Sequence, residues 1–120
     1  MTNLASSAPH IHGATTYDDL LDWGPQPDMI AGQSHSTGRL LHKGPDNSPE
    51  TGIWVCTPGT WKISVPRDEF CHFVAGRVTY RRKDSDEVIV AGPGTCVLFP
   101  AGWEGTAEIT ETLRNIYMLV

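Results

Sequence analysis

The 120-residue chain is predicted to be a single all-β domain, a sandwich or small barrel. Two observations carry that prediction. From Thr51 onward, short runs rich in Val, Ile, Trp, Tyr and Phe recur between Gly and Pro punctuation, the pattern of strands joined by tight turns. After residue 24, no segment carries the apolar stripe of an amphipathic helix.

The elements follow in order. Residues 1 to about 16 are small, polar and unpatterned, and the segment 1–24 is assigned to an N-terminal arm. Within it, "TTYDDLLDWG" can form one helical turn before Gly24, capped by Thr15 or Thr16, with Leu20, Leu21 and Trp23 packing onto the body. "PQP" at 25–27 forces extended backbone and opens the domain, 25–120. "KGPDNSPETG" at 43–52 is a loop by composition. Strands are expected near 38–43, 52–56, 60–65, 69–75, 76–83, 86–91, 95–99, 104–110 and 112–119. "DSD" at 84–86 links two of them as a hairpin, and "GPG" at 92–94 and "PAG" at 100–102 are turns.

Charge narrows the function classes. A formal net charge of −5 argues against a nucleic-acid partner, which needs concentrated Lys and Arg. The one basic cluster, Arg77, Arg81, Arg82 and Lys83, adjoins Asp84, Asp86 and Glu87 and reads as a solvated strand face. No run approaches the apolar length of a membrane helix, so no membrane partner is expected. The N-terminus lacks a basic region followed by an apolar one, so no secretory signal is read there. With three cysteines in unpaired spacing, a cytoplasmic protein with reduced thiols is expected.

The stretch "SVPRDEFCHFVAG" (64–76) gathers Glu69, Cys71 and His72. On a strand, successive side chains alternate between faces, so Glu69 and Cys71 share one face and His72 points to the other. Without a bulge the three cannot converge on one ion. "HIH" at 10–12 has a ligand-like spacing but lies in the arm; His35 and His42 sit at loop or strand edges.

Two further patterns carry a family resemblance. Glu69 is followed after six intervening residues by Gly76, and Gly94 precedes Pro100-Ala-Gly102 by five. In this order on β-rich sequence, with "GRV" after the first and "AGPGT" before the second, the segment from about 38 to 119 resembles a cupin domain. It is most similar to small single-domain cupins related to the (S)-ureidoglycine aminohydrolase cupin domain. The resemblance implies a double-stranded β-helix of jelly-roll type, commonly homodimeric, with a pocket at the barrel mouth and Glu69 facing it. It also implies a departure. The His-x-His of metal-binding cupins falls on Ile63 and Val65, or on Lys62 and Ser64, and the third histidine on Gly105. Only the glutamate of the usual ligand set is kept.

The expected pocket is lined by Trp61, Lys62, Glu69, Cys71, Trp103 and Tyr117, with Glu69 the candidate catalytic group. No cofactor or metal is expected; a divalent ion held by Glu69 and Cys71 with help from elsewhere is the lesser alternative. An inward carboxylate needs either a cation, available at Lys62, Arg67 or Arg114, or a proton. In the first case its pKa falls; in the second it rises and suits a general acid. Three functions follow: a module binding a small polar metabolite, a metal-independent hydrolase or isomerase using Glu69 on a small ureide, sugar or keto acid, or a structural or regulatory dimerisation domain.

Overall fold

A computed structural model describes residues 7–120; the first six residues of the expected arm lie outside them. The described residues form nine strands: β1 (Leu21–Pro25), β2 (Met29–Ala31), β3 (His35–Lys43), β4 (Glu50–Cys56), β5 (Gly59–Ser64), β6 (Glu69–Arg82), β7 (Val88–Ala91), β8 (Cys96–Phe99) and β9 (Glu104–Leu119). The only helical element among them is one 3-10 turn, Pro45–Asn47, inside the expected loop.

The two long strands organise the rest. β6 and β9 pair antiparallel along most of their length. On its other edge β9 pairs with β5 through its first half and with β4 through its second. β8 and β7 likewise pair with the two halves of β6, while β3 and β1 extend from β4 and β2 from β5. Each long strand therefore belongs to two layers, and the layers meet face to face. Tyr80, late in β6, packs 4.9 Å from Phe99 on β8, and Trp54 on β4 lies 6.3 Å from Trp61 on β5 (ring centroids). This curled antiparallel arrangement is the expected jelly-roll barrel.

The strands expected at 69–75 and 76–83 are one bent strand, as are 104–110 and 112–119. The bend in β6 falls at Gly76, where pairing with β9 is irregular between Phe73 and Val78. Gly76 has φ +86°, and a Cβ there would run into the Thr112 carbonyl oxygen. Only glycine accepts both the left-handed backbone and that close approach. Past the bend, Val78 and Tyr80 continue the inward face begun by Cys71 and Phe73. With Leu113, Phe99, Ile109 and Trp103 they form the core, each large side chain contributing roughly 1.5–3 kcal/mol by burial.

The helical turn expected before Gly24 is corrected. Thr16 N–H donates to the Gly13 carbonyl, 3.0 Å, in an isolated turn, and Leu21–Pro25 is a strand paired with β3. One helical turn fixes several residues for little hydrogen bonding. The open edge of β3 offers ladder partners instead, so the segment covers that edge.

Candidate functional site

Three strands set the site, and their register builds it. Across β4, β9 and β6 the rows run Glu50–Leu119–Glu69, then Gly52–Tyr117–Cys71, then Trp54–Asn115–Phe73. Strand alternation turns these rows inward. Trp61, Ile63 and Val65 face them from β5 and its C-terminal end. The result is a cavity of about 310 Å³ walled by Trp23, Trp54, Trp61, Tyr80, Phe99 and Tyr117. Its polar lining is Gln26, Glu50, Ser64, Glu69, Cys71 and Asn115.

Within it, the Cys71 thiol donates to Glu69 Oε2 at 3.5 Å, so the two side chains share a face. His72 is half-buried and does not line the cavity. Glu69 makes no ion pair among the described residues. Arg114 donates instead to the Ala14 carbonyl, 3.1 Å, and Lys62 is exposed on the opposite face of β5. Arg67 stands near enough to favour the Glu69 charge slightly, although its Nε and Nη2 have no hydrogen-bond partner. Burial is the dominant influence and pushes the Glu69 carboxyl above the usual glutamate range. The Cys71 thiol opposes that shift, Glu50 adds to it, and Arg67 opposes it. The Cys71 thiol is itself pushed well above its ordinary value, first by burial and then by Glu69. It is a neutral donor, not a nucleophilic thiolate.

Tyr117 donates its hydroxyl hydrogen to Glu50 Oε2 at 3.0 Å, and burial together with Glu50 holds the phenol well above its usual pKa. Trp54 Nε1 donates to Ser36 Oγ, 3.0 Å. Two buried polar atoms on the wall have no partner among the described residues: Trp61 Nε1 and Asn115 Oδ1.

Of the expected pocket residues, the structure brings Trp61, Glu69, Cys71 and Tyr117 together and leaves two elsewhere. Lys62 alternates with Trp61 and Ile63 and so points into a separate groove with Arg81, Arg82 and Lys83. Trp103 is buried against Phe99 and Tyr80 at centroid distances of 5.0 and 6.2 Å, and its Nε1 donates to Glu87 Oε1 at 3.0 Å. The turn at 100–102 folds this ring into the core instead of onto the rim.

Glu50, Asn115, Gln26 and Trp23 were not expected at the site. Two of them had a signal. Stepping back by twos from Trp54 gives Gly52 and Glu50, and by twos from Tyr117 gives Asn115. The loop-like composition of 43–52 obscured the first.

The donor set does not fit the metal centre usual for the fold. Both Ile63 and Val65 line the cavity, so the two first histidine positions are filled by hydrocarbon. A Cβ at Gly105 would collide with the Arg81 carbonyl oxygen, leaving no room for a third imidazole. Among the described residues, no three His, Cys, Asp or Glu side chains are grouped to hold an ion.

Residues 43–117 match the family model for the EutQ-like cupin domain. The chain belongs to that cupin family. Its barrel is similar to the EutQ protein of Clostridium difficile (16% identity, TM-score 0.60, covering 72% of this chain and 68% of that one). A DUF861 family protein from Thermotoga maritima is 25% identical, TM-score 0.54, over 57% of this cupin and 76% of that chain. A Pseudomonas syringae protein of unknown function from the DUF861 family superposes with TM-score 0.75 at 18% identity, over 84% of this cupin and 44% of that chain. These likenesses establish the fold. No curated protein matches the chain. No helix among the described residues is long and apolar enough to cross a membrane.

Proposed function

We propose that this cupin binds a small polar metabolite in the cavity between β4, β5, β6 and β9, without a metal. One observation carries the proposal: on two residues that line the cavity, Trp61 Nε1 and Asn115 Oδ1 are buried without partners among the described residues, one a donor and one an acceptor. An unsatisfied buried polar atom costs about 1–3 kcal/mol, and a ligand that pairs with both recovers it. The size and the mix of aromatic walls with few polar groups are those of small-molecule sites. The test is a thermal-shift screen of small polar metabolites, followed by titration of the hits against Asn115→Leu. That variant keeps the branched shape of the side chain and removes the acceptor, so it should fold and lose about tenfold in affinity. Unchanged affinity for every hit would contradict the proposal.

A second reading has its own observation. Burial favours the protonated form of Glu69, which suits a general acid acting on a small substrate. The resemblance to the ureidoglycine aminohydrolase cupin domain agrees with a hydrolase of this kind. Loss of turnover of a bound ligand in Glu69→Gln, with binding retained, is its signature.

The protein is further proposed to be a cytoplasmic homodimer. Leu98, Phe70 and Met118 stand in register across β8, β6 and β9 and are all exposed, an apolar row that a second copy can cover about a two-fold axis. Sedimentation of Phe70→Glu should report a monomer; an unchanged dimer, or a monomeric native chain, excludes this surface.

A further inference from the structure

The cavity has a charge character that narrows its ligand. Among the described residues no Lys, Arg or His lines it, whereas Glu50 and Glu69 both do. The register fixes their relation: each is paired with Leu119, one from either side, so their Cα atoms stand two strand spacings apart, about 9–10 Å. Both side chains line the same space. Two rows further along the same face, the indole of Trp54 meets that of Trp61 from β5 at 84° with centroids 6.3 Å apart, forming a corner of two aromatic faces. Aromatic faces attract cations, and more strongly where water is excluded. Among the described residues, Asn115 Oδ1 is an acceptor without a donor, and Trp61 Nε1 a donor without an acceptor.

Granting that the cavity is a ligand site, we infer that it takes a small primary ammonium ion bearing an oxygen acceptor. Its ammonium group is held by Glu50 and Glu69, and its oxygen accepts from Trp61 Nε1 at the Trp54–Trp61 corner. An anionic ligand such as a keto acid would meet two carboxylates and no countercharge. The groups facing Glu69 are Glu50 from β4, Cys71 and Tyr80 from β6, Tyr117 from β9, and Arg67 from the preceding loop. Arg67 does not line the cavity. A bound cation supplies the missing charge and displaces the Glu69 proton, so its affinity rises with pH.

The test uses three probes of matched size: 2-methoxyethylammonium, 2-methoxyethanol and methoxyacetate. Each is titrated at pH 8 against tryptophan fluorescence in the native chain and in Glu69→Gln, with the melting temperature reporting that the variant folds. The ammonium probe should bind about tenfold or more tightly than the alcohol, and methoxyacetate not at all. In Glu69→Gln the ammonium preference should shrink to about threefold or less, and its rise with pH should disappear. Equal or tighter binding of the alcohol or the carboxylate overturns the charge assignment and leaves the cavity as a ligand site. Binding of none of the three overturns the inference, while the ligand-site reading is decided separately by the broader metabolite screen. A preference unchanged in Glu69→Gln also overturns it.

Discussion

Glu50 and Glu69 stand at one level of the barrel, each in register with Leu119, and both line a cavity that no basic side chain among the described residues lines. Among the described residues, the first has a partner in the Tyr117 hydroxyl and the second only a long thiol contact from Cys71. That asymmetry gives the site its testable properties.

Glu69 should cost the fold stability at neutral pH. Its folded pKa lies above the ordinary value of 4.5, chiefly through burial, so the folded state keeps a proton that the unfolded chain has released. Stability is therefore full below that ordinary value and declines as pH rises through the folded titration. Glutamine does not ionise, so Glu69→Gln should match the native chain near pH 4 and be the more stable of the two at pH 8. Denaturant unfolding at both pH values measures the difference.

Removing the Tyr117 hydroxyl should act in the opposite direction. In Tyr117→Phe, Glu50 loses its one hydrogen-bond donor while staying part-buried. A loss of about 1–2 kcal/mol is expected at pH 7, read by thermal melting, because hydrogen bonds to ionised groups sit at the strong end of their range.

The two buried tryptophans at positions 61 and 103 should separate cleanly. Trp103→Phe removes the bond to Glu87 and leaves a void beside Phe99, costing about 1–3 kcal/mol, with ligand affinity unchanged. Trp61→Phe removes a donor from the cavity and should lower affinity about tenfold. Parallel titrations of the two variants with one ligand make the comparison.

Gly105→His should not rebuild a metal centre. Any side chain there meets the Arg81 carbonyl oxygen across the β6–β9 ladder, where the backbone cannot yield without breaking pairing. The variant should be destabilised by about 2 kcal/mol or more and bind no stoichiometric zinc by calorimetry.

Much of this was legible in the sequence because strands announce themselves locally. Alternation separated Glu69 and Cys71 from His72, and the same spacing marked most of the strands in order. What escaped depended on pairing between distant segments. The segment 15–24 reads as a helical turn because its own residues do not reveal the open edge of β3, which Leu21–Pro25 covers. Trp103 reads as a rim residue because the chain's turn at 100–102 does not reveal Tyr80 and Phe99 behind it. Lys62 was within reach: its position between Trp61 and Ile63 already put it on the other face. The charge of Glu69 was not, since it depends on Arg114 being turned to the Ala14 carbonyl and on Arg67 standing near without pairing with it.

The most direct measurement is an NMR titration of the tryptophan indole N–H signals with small polar metabolites, primary amines among them. On ligand binding the Trp61 signal should move, since its Nε1 gains a partner, while that of Trp103, already bonded to Glu87, stays in place. A binder that moves Trp103 and leaves Trp61 unmoved, or a screen in which nothing moves Trp61, would contradict the assignment of this cavity as the ligand site.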